Sequence, residues 1–200
     1  MNLKEFNNLV DFFFYQADKQ KPDEIFLEWL NPINRKSYTW SETVLSIYKI
    51  SKIIKQNCKD GDRVLLISEN RPEWLMSDLA IMLSKAITVP TYTTYTPNDY
   101  KYLIEDCEPA IIIVSNQSLN KKIENIIADK KFIKKIITFD NVTKSNYVEK
   151  YLDFHSIIKT KLSEEDKVKQ INLKRNSPAC IIYTSGTGGN PKGVILSHGG

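Results

Sequence analysis

Cysteine is scarce: Cys58, Cys107 and Cys180 are the only three, odd in number, far apart and without a CxxC pair. This excludes a disulfide framework and a cysteine-based zinc site, and it points to a reduced, cytoplasmic setting. Long apolar runs are missing too. The opening stretch MNLKEFNNLVDFFFYQADKQ holds a four-residue aromatic run flanked by acids, well short of a signal-peptide core or of the roughly 20 apolar residues of a membrane span. Nor does one sign of charge dominate. Twenty-eight Lys and Arg stand against 24 Asp and Glu for a net charge of +4, and the lysine clusters at Lys19 and Lys21 and at Lys130, Lys131, Lys134 and Lys135 are short. Such clusters suit a solvated surface rather than a nucleic-acid track, so no nucleic-acid partner is expected. Glycine is sparse at seven residues, and four of these fall in one twelve-residue stretch, YTSGTGGNPKGV, at 183–194.

What the chain does have is 42% hydrophobic and 10% aromatic residues over 200 positions, enough for one globular domain or two small ones. Phe6, Leu9, Val10, Phe13, Phe14 and Ala17 recur at helical spacing and predict an amphipathic helix packed on its own domain rather than on a membrane. IFLEWL and KSYTW flank the breakers Asn31 and Pro32, a pattern for two paired strands. Thr39 and Glu42 form a capping-box pattern ahead of a helix ending near Asn57. The strand RVLLIS at 63–68 then leads into a helix from Glu73 to about Lys85, with Pro72 in its first turn. The alternation continues with strand AITVP, helix PNDYKYLIEDC, strand AIIIVS, helix LNKKIENIIADK at 119–130, strand KKIITF and a helical stretch from Tyr147 to Thr160. This order predicts an α/β fold: a parallel sheet flanked by helices. The organisation reads as a leading helix, strand pair and helix over 1–60, repeated βα units over 61–161, a polar surface connection over 162–177, and strand, glycine-rich loop and strand over 178–200.

The loop fails the two commoner phosphate-binding patterns. Counted from Gly186, a Walker loop meets Pro191 where its second glycine belongs, and Gly193 follows Lys192 where Ser or Thr is required. A dinucleotide fingerprint counted from Gly186 and Gly188 meets Pro191 at its last glycine, with a strand rather than a helix beyond. Its chemistry still suits a polyphosphate. Glycines let backbone N–H groups approach without a Cβ in the way, Thr184, Ser185 and Thr187 add hydroxyls, and Lys192 adds a mobile positive charge. The bland alternative is a plain glycine-rich hairpin.

YTSGTGGNPKGV resembles the signature loop of the adenylate-forming superfamily, usually written YTSGTTGxPKGV, which comprises AMP-producing acyl-CoA synthetases, adenylation domains and luciferases. It departs at Gly188, where the family more often has threonine. The resemblance runs upstream through KSYTWSET, GDRVLLISENRPEWLMSDLAIMLSKAITVPTYTTYTP and YLIEDCEPAIIIVSN, and ENRPEW and VPTYTTYTP are most similar to long-chain fatty acyl-CoA synthetases. The resemblance implies the N-terminal part of the large domain of the acyl-adenylate-forming synthetase fold. It also implies a two-step ligase reaction: a fatty-acid carboxylate attacks the α-phosphate of ATP, releasing pyrophosphate, and coenzyme A then displaces AMP. Thr184, Ser185, Gly186, Thr187, Gly188, Gly189 and Lys192 would surround the β- and γ-phosphates, with Thr184 helping to hold Mg2+.

The resemblance implies that most of the acyl pocket, the adenine-binding segment, the acidic magnesium ligand, the hinge and the small C-terminal domain with its adenylation lysine have no counterpart in these residues. The expectation is therefore an N-terminal fragment, inactive alone, with no catalytic residue to name. Cytoplasmic localisation is expected, with peripheral contact at the inner face of a membrane left open, as is the oligomeric state. Two alternatives stay beside the ligase: a non-catalytic nucleotide-binding or interaction module, and a P-loop NTPase disfavoured by Pro191 and Gly193. Other tempting residues have plainer readings. His198 starts a helix, His155 is exposed, Trp74, Tyr92 and Tyr95 pack in the core or between subdomains, and Glu69 and Asp78 lack a paired carboxylate.

Overall fold

The computed structural model describes residues 5–30, 35–144, 147–184 and 190–200. A seven-stranded sheet runs through the molecule. Its strands are β3 (Arg63–Ile67), β4 (Ile87–Thr91), β5 (Ile111–Val114), β6 (Lys135–Thr138), β7 (Tyr151–Asp153), β8 (Pro178–Thr184) and β9 (Lys192–Ser197), in the spatial order β7-β6-β5-β3-β4-β8-β9. All neighbours pair in parallel except β8 with β9. The strands β3 and β5 read as unbroken apolar runs because both their faces are covered. Val64, Leu66, Ile111, Ile113 and Ile137 face one core, and Leu65, Ile67, Ile112, Val114 and Ile136 face the other. At about 1.5 to 3 kcal/mol for each fully buried aliphatic side chain, these ten positions outweigh any single polar contact.

The first core is closed by α1 (Leu9–Ala17), α2 (Trp40–Asn57) and α3 (Pro72–Leu83). Asn8 caps α1, and the Thr39–Glu42 capping box starts α2 as its sequence predicts. A separate antiparallel pair, β1 (Ile25–Trp29) with β2 (Lys36–Thr39), lies against this layer, where Phe26 stacks on Trp40 at 3.7 Å between ring centres. The Asn31–Pro32 turn lies outside the described residues. The second core is closed by α4 (Pro97–Cys107), begun by a Thr96–Asp99 capping box, and by α5 (Gln117–Ile123). The polar connection at 162–177 crosses back to the N-terminus, with Asn8 donating to the carbonyls of Ile171 and Leu173 and Arg175 donating to that of Phe6.

Two expected elements differ. The helix expected over 119–130 begins earlier, under an Asn116 cap, and ends at Ile123; Ile127 and Ile133 still reach the core from the turns that follow. The stretch from Tyr147 to Thr160 is not one helix. It opens with a 3-10 turn, forms strand β7 beside β6, and only then makes the short helix α6 (Phe154–Ile157), because Tyr151 and Phe154 bury against the sheet in different directions.

Candidate functional site

The parallel strands deliver their carboxyl ends to one edge of the sheet, and there a cleft of about 450 Å³ opens among β3, β4 and β8. Ser68, Glu69 and Asn70 form its floor after β3, Pro90 to Thr93 and Tyr95 one wall, and Ile182 and Tyr183 the other. The cause of the opening can be read from the backbone. Ile87 donates its N–H toward β3, to the carbonyl of Asp62, so by alternation Thr88 and position 90 face β8. Position 90 is proline and has no N–H to give. The ladder between β4 and β8 is accordingly a single pair, Thr88 with Cys180, and the strands part beyond it.

The wall after β4 is pinned from behind. Lys122 of α5 donates to the carbonyls of Thr93 and Tyr95 at 2.9 and 2.8 Å, and the Tyr100 hydroxyl donates to that of Tyr92 at 2.8 Å. Tyr92 itself is 65% exposed, so it is a cleft residue and not the core residue its strand-end position suggests. Trp74 and Tyr95 do both, lining the cleft and packing against the two cores.

Beneath the floor lies a charge cluster that sequence spacing does not reveal. The Arg71 side chain is fully buried, packs over the rings of Trp29 and Phe139, and forms paired hydrogen bonds with Glu73 and with Asp140. Burial disfavours the charged form of Glu73, but its bonds to Arg71 outweigh that and hold its carboxyl below the usual carboxylate range. Glu69 accepts from Ser115 Oγ at 2.5 Å and faces Arg71 at 3.7 Å. One arginine thus ties the segments after β3 and β6, which the chain separates by 69 residues.

The glycine-rich loop leaves β8 at the cleft. Thr184 is the last residue of β8, Lys192 the first of β9, and the two oppose each other in register. Both are exposed, and Lys192 has no ion-pair partner among the described residues. Of the other loop residues named from the sequence, Ser185, Gly186, Thr187, Gly188 and Gly189 lie outside the described residues. Gly193 is described, and there a Cβ would meet Ile181 Cγ2 at 2.9 Å and Tyr183 Cζ at 3.3 Å. The Tyr183 hydroxyl donates to the carboxylate of Asp106 on α4, and burial followed by that bond raises its pKa, so it stays a donor at neutral pH. Among the described residues no group of three or more His, Cys, Asp or Glu could hold a metal ion. Thr184 offers an exposed hydroxyl oxygen, the kind of hard donor that magnesium takes.

The other residues singled out from the sequence stand apart from the cleft. His198 lies in a turn rather than a helix; its Nδ1 accepts from the N–H of Leu9, and burial lowers its pKa. His155 is exposed on α6.

The fold and this edge define an α/β protein with a mostly parallel sheet, in which a glycine-rich stretch of sequence joins a parallel strand to an antiparallel one. The profile of the AMP-binding enzyme family matches residues 13–200, and the chain belongs to that family. Among curated relatives it is 30% identical over 155 residues to fatty acyl-CoA synthetase A of Dictyostelium discoideum, covering 74% of this chain and 22% of that protein. It is 26% identical over 200 residues to long chain acyl-CoA synthetase 1 of Arabidopsis thaliana, covering 92% of this chain and 30% of that protein. Among solved structures, the anthranilate CoA ligase AuaEII in complex with anthranoyl-AMP superposes with a TM-score of 0.83 at 22% identity, over all of this chain and 37% of that one. The luciferase-like enzyme from the nonluminescent Zophobas morio mealworm superposes with a TM-score of 0.81 at 22% identity, over all of this chain and 44% of that one. The expected adenylate-forming fold is the one observed.

Proposed function

We propose that this chain is the N-terminal portion of an adenylation domain that activates a carboxylic acid with ATP, giving an acyl-adenylate and pyrophosphate, and then passes the acyl group to coenzyme A. The observation that carries the reading is the opposed pair Thr184 and Lys192, which closes a glycine-rich loop at the carboxyl end of a parallel strand and beside a cleft. In this reading Lys192 binds the β- and γ-phosphates through its ammonium, and Ser185, Gly186, Thr187, Gly188 and Gly189 contribute backbone and hydroxyl donors. A hydrogen bond to a charged group contributes about 1.5 to 3 kcal/mol. Thr184 would help hold magnesium, which supplies charge neutralisation at the phosphates when bound. The named relatives support a long-chain fatty acid as the substrate.

The chain spans between a fifth and a third of the length of those two relatives, so the activity is proposed for a protein of their full length. The test is fatty-acid-dependent ATP–pyrophosphate exchange by the protein expressed from its complete reading frame. Lys192→Ala is expected to lower that exchange at least about ten-fold, the equivalent of one such bond. Undiminished exchange would remove Lys192 from the site, and exchange supported by amino acids but not by fatty acids would overturn the substrate class. The 200-residue chain alone is expected to support no exchange.

A further inference from the structure

We propose that Tyr102 and Asp106, one turn apart on α4, are positioning residues that fix the two strand ends flanking the glycine-rich loop. The proposal rests on the reading of Thr184 and Lys192 as polyphosphate-binding residues. The Tyr102 hydroxyl donates to the carbonyl of Pro191 at 2.9 Å, at the exit of the loop, and Asp106 accepts from Tyr183, at its entrance. The Tyr102 and Tyr183 rings meet edge to face, 6.4 Å between centres at 87°. Residues four apart on a helix share a face, so one rigid element grips both ends of the loop.

The sheet pairs the two strand ends with each other but does not tie them to the rest of the molecule. β8 registers with β4 only at Cys180, so its last four residues pair with β9 alone, and β9 is the edge strand. Among the described residues, α4 provides the hydrogen bonds that tie this ribbon to the rest of the molecule near the loop. The helix is itself well anchored. Its capping box fixes the start, and Tyr100, Leu103 and Ile104 are fully buried in the second core. The ribbon is tight next to the loop as well, because Tyr183 lies against the bare α-carbon of Gly193. Thr184 and Lys192 each follow a gripped residue directly. Releasing either grip would let the end of the ribbon, with Thr184 and Lys192 paired on it, shift relative to the cleft, which weakens a ligand that reaches from the pair into the cleft.

The experiment is exchange kinetics in the complete protein, with ATP and fatty acid varied separately. Tyr102→Phe, which removes one hydroxyl, is expected to raise KM for ATP about three- to ten-fold, the worth of one neutral hydrogen bond, with KM for the fatty acid unmoved. Asp106→Leu is expected to do the same, Asp106→Asn to recover most of the loss because its amide oxygen still accepts, and Tyr183→Phe to add little to Asp106→Leu because both remove one bond. The near-isosteric variants should keep the melting temperature, which separates positioning from folding. If Lys192→Ala impairs exchange while Tyr102→Phe and Asp106→Leu keep the original KM for ATP, the positioning role is wrong and the functional reading stands. Undiminished exchange in Lys192→Ala would overturn both.

Discussion

A methyl group decides the fate of Gly193. Its φ is not in the left-handed region, where Gly61 is the one glycine among the described residues, so the requirement is space and not conformation. With Ile181 Cγ2 at 2.9 Å from a Cβ, Gly193→Ala must push either the isoleucine or the Tyr183 ring aside. We expect a destabilisation of about 1 to 3 kcal/mol, as for overpacking elsewhere, read from urea unfolding; an unchanged midpoint would show that the ribbon yields freely. The sequence marked Thr184 and Lys192 because they add a hydroxyl and a mobile positive charge to a glycine-rich stretch. It could not mark Asp106 and Tyr102, which reach Tyr183 and Pro191 from 77 and 89 residues away. Residue type alone does not tell an exposed aspartate that grips a tyrosine from one that faces water.

Among elements, α3 owes its entrance to an unusual device. Arg71 precedes it without capping a backbone N–H through its side chain, and spends its guanidinium on Glu73 in the first turn and on Asp140 after β6. The Glu73 side chain is 2% exposed, so Glu73→Gln leaves a buried cation short of a partner and is expected to cost about 3 kcal/mol near neutral pH. Because the folded carboxyl is held below its ordinary value, its contribution is present above the unfolded pKa of about 4 and is lost as pH falls through the folded one. The gap between Glu73→Gln and the parent should therefore shrink from pH 7 to pH 3, as measured by urea midpoints. A gap independent of pH would mean the charge contributes nothing. Most elements were legible from periodicity and caps, and the exceptions have local causes. β7 is three residues long, too short for alternation to register, and it exists because Ile136 to Thr138 offer it an open edge. The second half of the expected α5 keeps helical spacing in Ile123, Ile126 and Ile127, but it folds as turns that meet the core equally well.

For the molecule as a whole, the order β7-β6-β5-β3-β4-β8-β9 puts β3 and β5 at the centre, buried on both faces and paired on both sides. Amide hydrogen exchange is expected to be slowest there and fastest in the β1–β2 pair and β9, whose Ile195 is 63% exposed. Equal protection of β9 and β5 would contradict this ranking. The exposed flank formed by Ile182, Val194, Ile195 and Leu196 belongs to the same ribbon that carries Thr184 and Lys192, so the candidate site sits on the least supported part of the sheet. The grip from α4 then acts as a ruler cut to one length. A single residue inserted between Tyr102 and Asp106 would swing one of them about 100° around the helix and free one end of the loop. Such an insertion would also turn part of the buried face formed by Tyr100, Leu103 and Ile104 away from the second core, so the helix can hold the ribbon only at the length it has.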